Sequence, residues 1–281
     1  MNTITTILKE TDWLYTRLFE TDFFFIDLWS VVNLWSGFSL FILLCALKVK
    51  RPYLILLLIL IAFEIIEILV LHFALSIFRT ETFKNEGTHI YIGMAGGLLA
   101  LLLLRISGKH LQSHRNTTEI LLASYTSFTY AFVWVGFYGY RYNLPECNSN
   151  GINYTAFIFW FLGLTGILLV FSLLKKRGIF RALFITWGLY LVSLFSIEYY
   201  FYYHVGLHEN SKPQAKALFF GIIHGLPVLH IVYLFAPLII IIFYLFFRHV
   251  LLKALAEPGS QPKTQPNNLR GVQSLVKSVF R

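Results

Sequence analysis

"LILLLILIAF", residues 54–63, is ten apolar residues in a row with no alternation of polar and apolar positions. A strand crossing a membrane belongs to a closed barrel and alternates outward apolar with inward polar residues, which this stretch does not do. A helix satisfies its own backbone hydrogen bonds and tolerates such a run in hydrocarbon. Extending outward, the apolar character holds over 53–78, longer than the roughly 20 helical residues needed to cross a hydrocarbon core of about 30 Å. Six further runs of this kind lie near 24–48, 89–106, 118–140, 152–174, 179–203 and 216–247. With 57% hydrophobic and 13% charged residues over 281 positions, the composition excludes an ordinary soluble domain. The expected fold class is all-α, a polytopic membrane bundle of seven transmembrane helices.

The net charge of +9 would suggest acidic partners in a soluble protein, but here the basic residues sit in short connections between apolar runs. They read as topology signals, and nucleic-acid binding is not expected. Sixteen of the 23 lysines and arginines fall in one alternating set of connections, led by Lys48, Lys50 and Arg51, by Arg105, Lys109 and Arg115, and by Lys175, Lys176, Arg177 and Arg181. Because lysine and arginine near span ends are retained in the cytoplasm, the N-terminus is expected outside and the C-terminus in the cytoplasm. The location this implies is the cell membrane, with the bacterial inner membrane as the expected site.

Three regions follow. Residues 1–22 place Ile4, Ile7, Leu8, Leu14, Tyr15 and Leu18 at helical spacing and predict an amphipathic helix on the outer surface. Residues 23–249 hold the seven spans. Residues 250–281 form a basic cytoplasmic tail, with a flexible "EPGSQPKTQPNN" followed by "LRGVQSLVKSVFR", which predicts a short amphipathic helix. A membrane thickness separates Cys45 from Cys147, so no disulfide joins them.

Ionisable residues inside a bilayer cost roughly 2.5–3.5 kcal/mol or more at mid-depth and usually face partners in the bundle interior. All those found here lie between mid-membrane and the outer side. Glu64 and Glu67 share a face of the second run, where two carboxyls can pass a proton, bind a cation, or hydrogen-bond Asn33 as packing groups. The stretch "SIEYYFYYHVGLHE", residues 196–209, sets Glu198, His204 and His208 among aromatic rings. His204 and His208 are four apart, a spacing that suits zinc or iron if other helices add ligands. His89, His224 and His230 lie at similar depth. The alternative places these histidines in an aromatic belt with Tyr199, Tyr200, Tyr202 and Tyr203. In "GIIHGLPVLHIVYLFAP", residues 221–237, the glycines and prolines interrupt the last run. Proline there frees a carbonyl about four residues earlier, tolerated only against protein or a wet cavity. The chain has no Walker loop, HExxH, GxSxG or CxxC, and the last run has lysines only near its ends, Lys216 and Lys253, so a retinal Schiff base is not expected.

Spans one to three carry, in order, "DLWSVVNLWSGF", "FEIIE" and "GTHIYIGMAGGLLALL". This pattern, over residues 27–104, resembles the VanZ-like group of small bacterial membrane proteins. The resemblance implies an envelope membrane protein and no defined chemistry.

Three functions are open at this point. The first is a metal-dependent membrane enzyme acting on a lipid or isoprenoid-like substrate from the outer leaflet. Its metal would be held by some of His204, His208, His224, His230 and His89, with Glu64, Glu67 and Glu198 as its acid–base groups. The second is a proton-coupled small-solute transporter with a 3+1+3 helix arrangement, using Asp27 and the three glutamates. The third is a non-catalytic assembly subunit with other membrane proteins as partners.

Overall fold

Three of the apolar runs start where the chain supplies a helix signal. At the first, α1 (Leu28–Ala46), the Asp27 carboxylate accepts the Ser30 N–H at 2.9 Å and the Ser30 hydroxyl accepts the Asp27 N–H at 3.2 Å, a reciprocal cap. The second, α2 (Pro52–Ile66), opens on proline, which lacks only an N–H the helix start would leave unpaired. A tight turn through Lys48 and Arg51, at φ 61 and 58, reverses the chain between them. Then come α3 (Phe83–Leu102) with a π turn over Leu103–Ser107, and α4 (Arg115–Tyr138), which ends on Gly139 at φ 69. The fifth helix, α5 (Tyr154–Leu174), is capped by Asn153, whose side chain accepts the Ala156 N–H at 3.0 Å. A 3-10 turn, Lys175–Arg177, leads to α6 (Ile179–Tyr200) and its π-turn extension Phe201–Val205; α7 (Pro227–Leu255) follows.

The structure, a computed structural model, describes residues 12–21, 25–67, 83–107, 111, 114–149, 151–208 and 227–256. Among these, six helical segments are long and apolar enough to cross a membrane, so the chain is a multi-pass membrane protein. The remaining apolar helix, α2, has 15 residues and stops at Ile66, just before residues outside the description. The last helix continues unbroken through Pro237 and runs to Leu255, past the expected end at 247, while the expected start over 216–226 lies outside the described residues. The expected tail helix lies outside the described residues.

The fold is not purely helical. Where a surface helix was expected over 1–22, the described part is a 3-10 turn, Asp12–Tyr15, and a strand β1 (Arg17–Glu20) paired antiparallel with β2 (Phe25–Asp27). Thr16, Thr21 and the phenylalanines of "DFFFID" favour extended backbone, and pairing satisfies both strands just before the Asp27 cap. Arg17 pairs with Glu20 of its own strand at 2.6 Å, and its guanidinium lies 5.4 Å from the centroid of the Phe25 ring on β2.

The chain divides into two units, Met1–Ser113 with His249–Arg281, and His114–Arg248. In the first, α1 and α3 meet backbone to backbone through glycines. A Cβ at Gly37 would run into the Gly93 carbonyl, and one at Gly96 into the Leu34 carbonyl. Small residues allow such approach, which is how helices gain packing where lipid offers no hydrophobic contrast. Beside them, the Tyr53 hydroxyl of α2 donates to the Met94 carbonyl of α3 at 2.9 Å, and its ring meets Phe41 edge-on at 5.9 Å. In the second unit, α4, α5, α6 and the first part of α7 alternate in direction.

Candidate functional site

In the second unit one helix end is tied by charge. Glu119, near the start of α4, is buried. Its two carboxylate oxygens accept from Lys175 Nζ at 3.0 and 2.9 Å, and Oε1 also takes Arg248 Nε at 3.0 Å. The Tyr244 hydroxyl donates to the same carboxylate and accepts from Lys175 at 2.8 Å. The start of α4, the end of α5 and the end of α7 thus converge on one carboxylate. Every group named is used, so this is a structural tie. The sequence reading had assigned Lys175 to the loop charges and passed over Glu119.

At the opposite end of the same helices lies a groove of about 450 Å³ between α5 and α6, with Tyr233 of α7 and the loop residues Tyr140 and Tyr142 along it. Helical spacing builds its walls. Tyr190, Leu194, Ile197, Glu198 and Phe201 follow one face of α6, and Phe159, Gly163, Gly166, Ile167 and Val170 follow one face of α5. At Gly163 and Gly166 an added Cβ would meet nothing within 4 Å, so these glycines leave the groove open. Phe159, Leu162 and Ile197 on its lining are 46%, 60% and 49% exposed. In a membrane helix that exposure faces lipid, which makes the groove accessible from the side.

Glu198 is the one charged residue among the described residues of the lining. Its position follows from Pro237. Proline has no N–H to give the carbonyl four residues earlier, which is that of Tyr233. The Tyr190 hydroxyl donates to this carbonyl at 2.7 Å, and Trp187 Nε1 donates to the neighbouring Leu234 carbonyl at 2.9 Å. Tyr233 is thereby fixed against α6, and its own hydroxyl donates to Glu198 Oε1 at 2.6 Å. The frees-a-carbonyl argument thus holds, and the carbonyl is satisfied by protein.

Above Glu198, the Tyr140 hydroxyl accepts two indole N–H groups, from Trp134 and Trp160, each at 3.0 Å. With both lone pairs so used, its remaining capacity is to donate. Desolvation pushes the Tyr140 phenol well above its ordinary pKa, aided by Tyr138, Tyr142 and Glu198 nearby, so it stays protonated. Asn143 holds this loop in place. Its side chain accepts the His208 N–H at 2.6 Å and donates to the Gly206 carbonyl at 2.9 Å.

The expected histidine pair does not share this groove. The helix passes into a π turn at Phe201–Val205 and ends on Gly206 at φ 73, so His208 lies beyond it and the four-residue spacing no longer puts both rings on one face. His204 is exposed, with its ring 5.9 and 5.6 Å from those of Tyr199 and Tyr200, and His208 stacks on Tyr202 at 4.2 Å. His224 lies outside the described residues, and His230 is placed only by its backbone in α7. Among the described residues no group of three or more His, Cys, Asp or Glu is placed to hold a metal ion.

The first unit has its own polar core. His89 lies between two carboxylates, its Nε2 3.8 Å from Asp27 Oδ1 and its Nδ1 3.9 Å from Glu64 Oε1, all three buried. Thr88, Asn33 and Glu67 are buried too, and the Thr88 hydroxyl accepts the Phe25 N–H at 3.5 Å. Glu64 and Glu198, expected around one cavity, thus belong to different units with different partners. Comparison with family models, with curated proteins and with solved structures gives no match.

Proposed function

We propose that this chain is a membrane protein that binds a lipid-like amphiphile in the groove between α5 and α6, chain along the apolar walls and polar end at Glu198. The carrying observation is the groove itself: apolar, opened by Gly163 and Gly166, laterally exposed, and closed at one end by the Glu198 carboxylate among tyrosine side chains. A site with one polar pole and a long apolar barrel suits a molecule of the same division. Seven spans are part of this reading, with residues 68–78 completing the second, the N-terminus outside and the C-terminus in the cytoplasm of a bacterial inner membrane. The loop charges support that orientation, and the basic Glu119 end of the second unit then faces the cytoplasm while Glu198 faces the outer leaflet.

Photo-crosslinking tests the reading. A hexadecyl amphiphile with a diazirine in its chain, added to the purified protein in nanodiscs, should label peptides of Tyr154–Leu174 and Ile179–Tyr200 saturably. Labelling spread over all lipid-facing helices without saturation would reject it.

Proton-coupled transport is the second reading, favoured by one observation: a buried imidazole between two carboxylates on three elements of the first unit. Such a set can hold and release a proton. Solute uptake into proteoliposomes that collapses with the proton gradient, and is abolished by Glu64→Gln, would support it.

A further inference from the structure

We infer that the turn between α5 and α6 binds an anionic phospholipid, its phosphate among Lys176, Arg177 and Arg181 and its acyl chain along Phe180 and Phe184. The first observation is depth. The segments Tyr154–Arg177 and Ile179–Val205 are each long and apolar enough to cross a bilayer, and Gly178 alone separates them. That glycine turns the chain at φ 119, and a Cβ added there would meet nothing within 4 Å. Cations on either side of it therefore lie at headgroup depth, whichever face of the membrane they occupy. The second observation is charge. Glu119, the buried carboxylate at this end, is engaged by Lys175 and Arg248. Lys176, Arg177 and Arg181 are exposed, and their side chains form no ion pair with any of the described residues. Three like charges so close in sequence repel one another, and a phosphate with net negative charge relieves that repulsion.

The third observation says what carries the phosphate. Phe180 and Phe184 are 75% and 64% exposed and stand four apart on one face of α6, and Ile185 follows Arg181 at the same spacing. Leu173, in the last turn of α5, is exposed beside them in sequence. Cations at the helix end thus lead into an apolar face, as the headgroup of a lipid leads into its chains. A free phosphate or an acidic soluble partner would use the cations and leave this apolar face unused.

Native mass spectrometry of the full-length protein, titrated with dioleoylphosphatidylglycerol or dioleoylphosphatidylcholine, reads the affinity for the first lipid bound. Each cation at an anionic surface adds about fivefold in affinity, so the anionic lipid is expected to bind at least about tenfold tighter. Combining Lys176→Gln, Arg177→Gln and Arg181→Gln, all at exposed positions, should reduce this preference to below about threefold. Combining Lys48→Gln, Lys50→Gln and Arg51→Gln removes the same charge from the turn between α1 and α2 and should leave the preference as it is. Equal affinity for the two lipids, or an equal loss in the two variants, would overturn the assignment. Displacement of the anionic lipid by equimolar glycerol phosphate, which has the charge but no chains, would overturn it too, by making the turn a site for phosphate alone.

Discussion

Tyr190→Phe removes a single oxygen, the one that satisfies the Tyr233 carbonyl left without an N–H by Pro237. Both tyrosines are buried, at 5% and 9% exposure, so water does not replace the lost donor. An unsatisfied buried carbonyl costs about 1–3 kcal/mol, and hydrogen bonds between membrane helices measure lower, about 0.6 on average and up to about 1.7 kcal/mol. We expect a loss of about 1 kcal/mol, roughly a fivefold shift in the folding equilibrium. The decisive arm is Pro237→Ala. Alanine restores the N–H that reaches the Tyr233 carbonyl within the helix, so in that background Tyr190→Phe should cost less than about 0.5 kcal/mol. Reversible unfolding in mixed micelles with rising SDS, read by circular dichroism, gives all four corners of the double-mutant cycle. If Tyr190→Phe costs the same with proline or alanine at 237, the chain from Pro237 through Tyr233 to Glu198 is not what positions the carboxylate.

Other changes test the remaining frame. Glu119→Ala leaves Lys175 and Arg248 together at a partly buried helix end, and should cost about 3 kcal/mol in the same unfolding assay; Glu119→Gln, which keeps an acceptor, should cost less. Gly37→Ala or Gly96→Ala drives a methyl into a neighbouring backbone carbonyl and should destabilise by about 1–3 kcal/mol, whereas Gly188→Ala, with open space around it, should be close to neutral. A reporter active only in the cytoplasm should work when fused after Arg281 and fail when fused within residues 82–88. The reverse result would invert the proposed orientation.

The helical membrane fold was legible because hydropathy and span length act locally: runs such as 54–63 admit no other solution in hydrocarbon. Helix starts at Asp27, Pro52 and Asn153 follow from residue chemistry in the same way. The hairpin at Arg17–Asp27 was not legible, since apolar spacing in a short segment does not foretell its pairing partners on the next strand. Glu198, Glu64 and His89 stood out as ionisable groups in apolar surroundings, but their partners are tertiary facts. The histidine spacing does not carry over to one helix face, because Gly206 at φ 73 ends the helix between the two rings. The link from Pro237 to Tyr233 was available by counting back four residues, whereas the hydroxyl that answers it comes from another helix. Glu119 was missed because basic residues at span ends were read for topology alone.

The groove is the centre of the account, and occluding it is the most direct test. Gly163 and Gly166 line it, while Gly188 has equally open surroundings on α6 but does not. Binding of a radiolabelled hexadecyl amphiphile to wild type, Gly163→Phe, Gly166→Phe and Gly188→Phe in nanodiscs separates the groove from general lipid contact. The account predicts that the two α5 variants lose saturable binding, at least tenfold, while Gly188→Phe binds as wild type does. Equal binding by all four would contradict it.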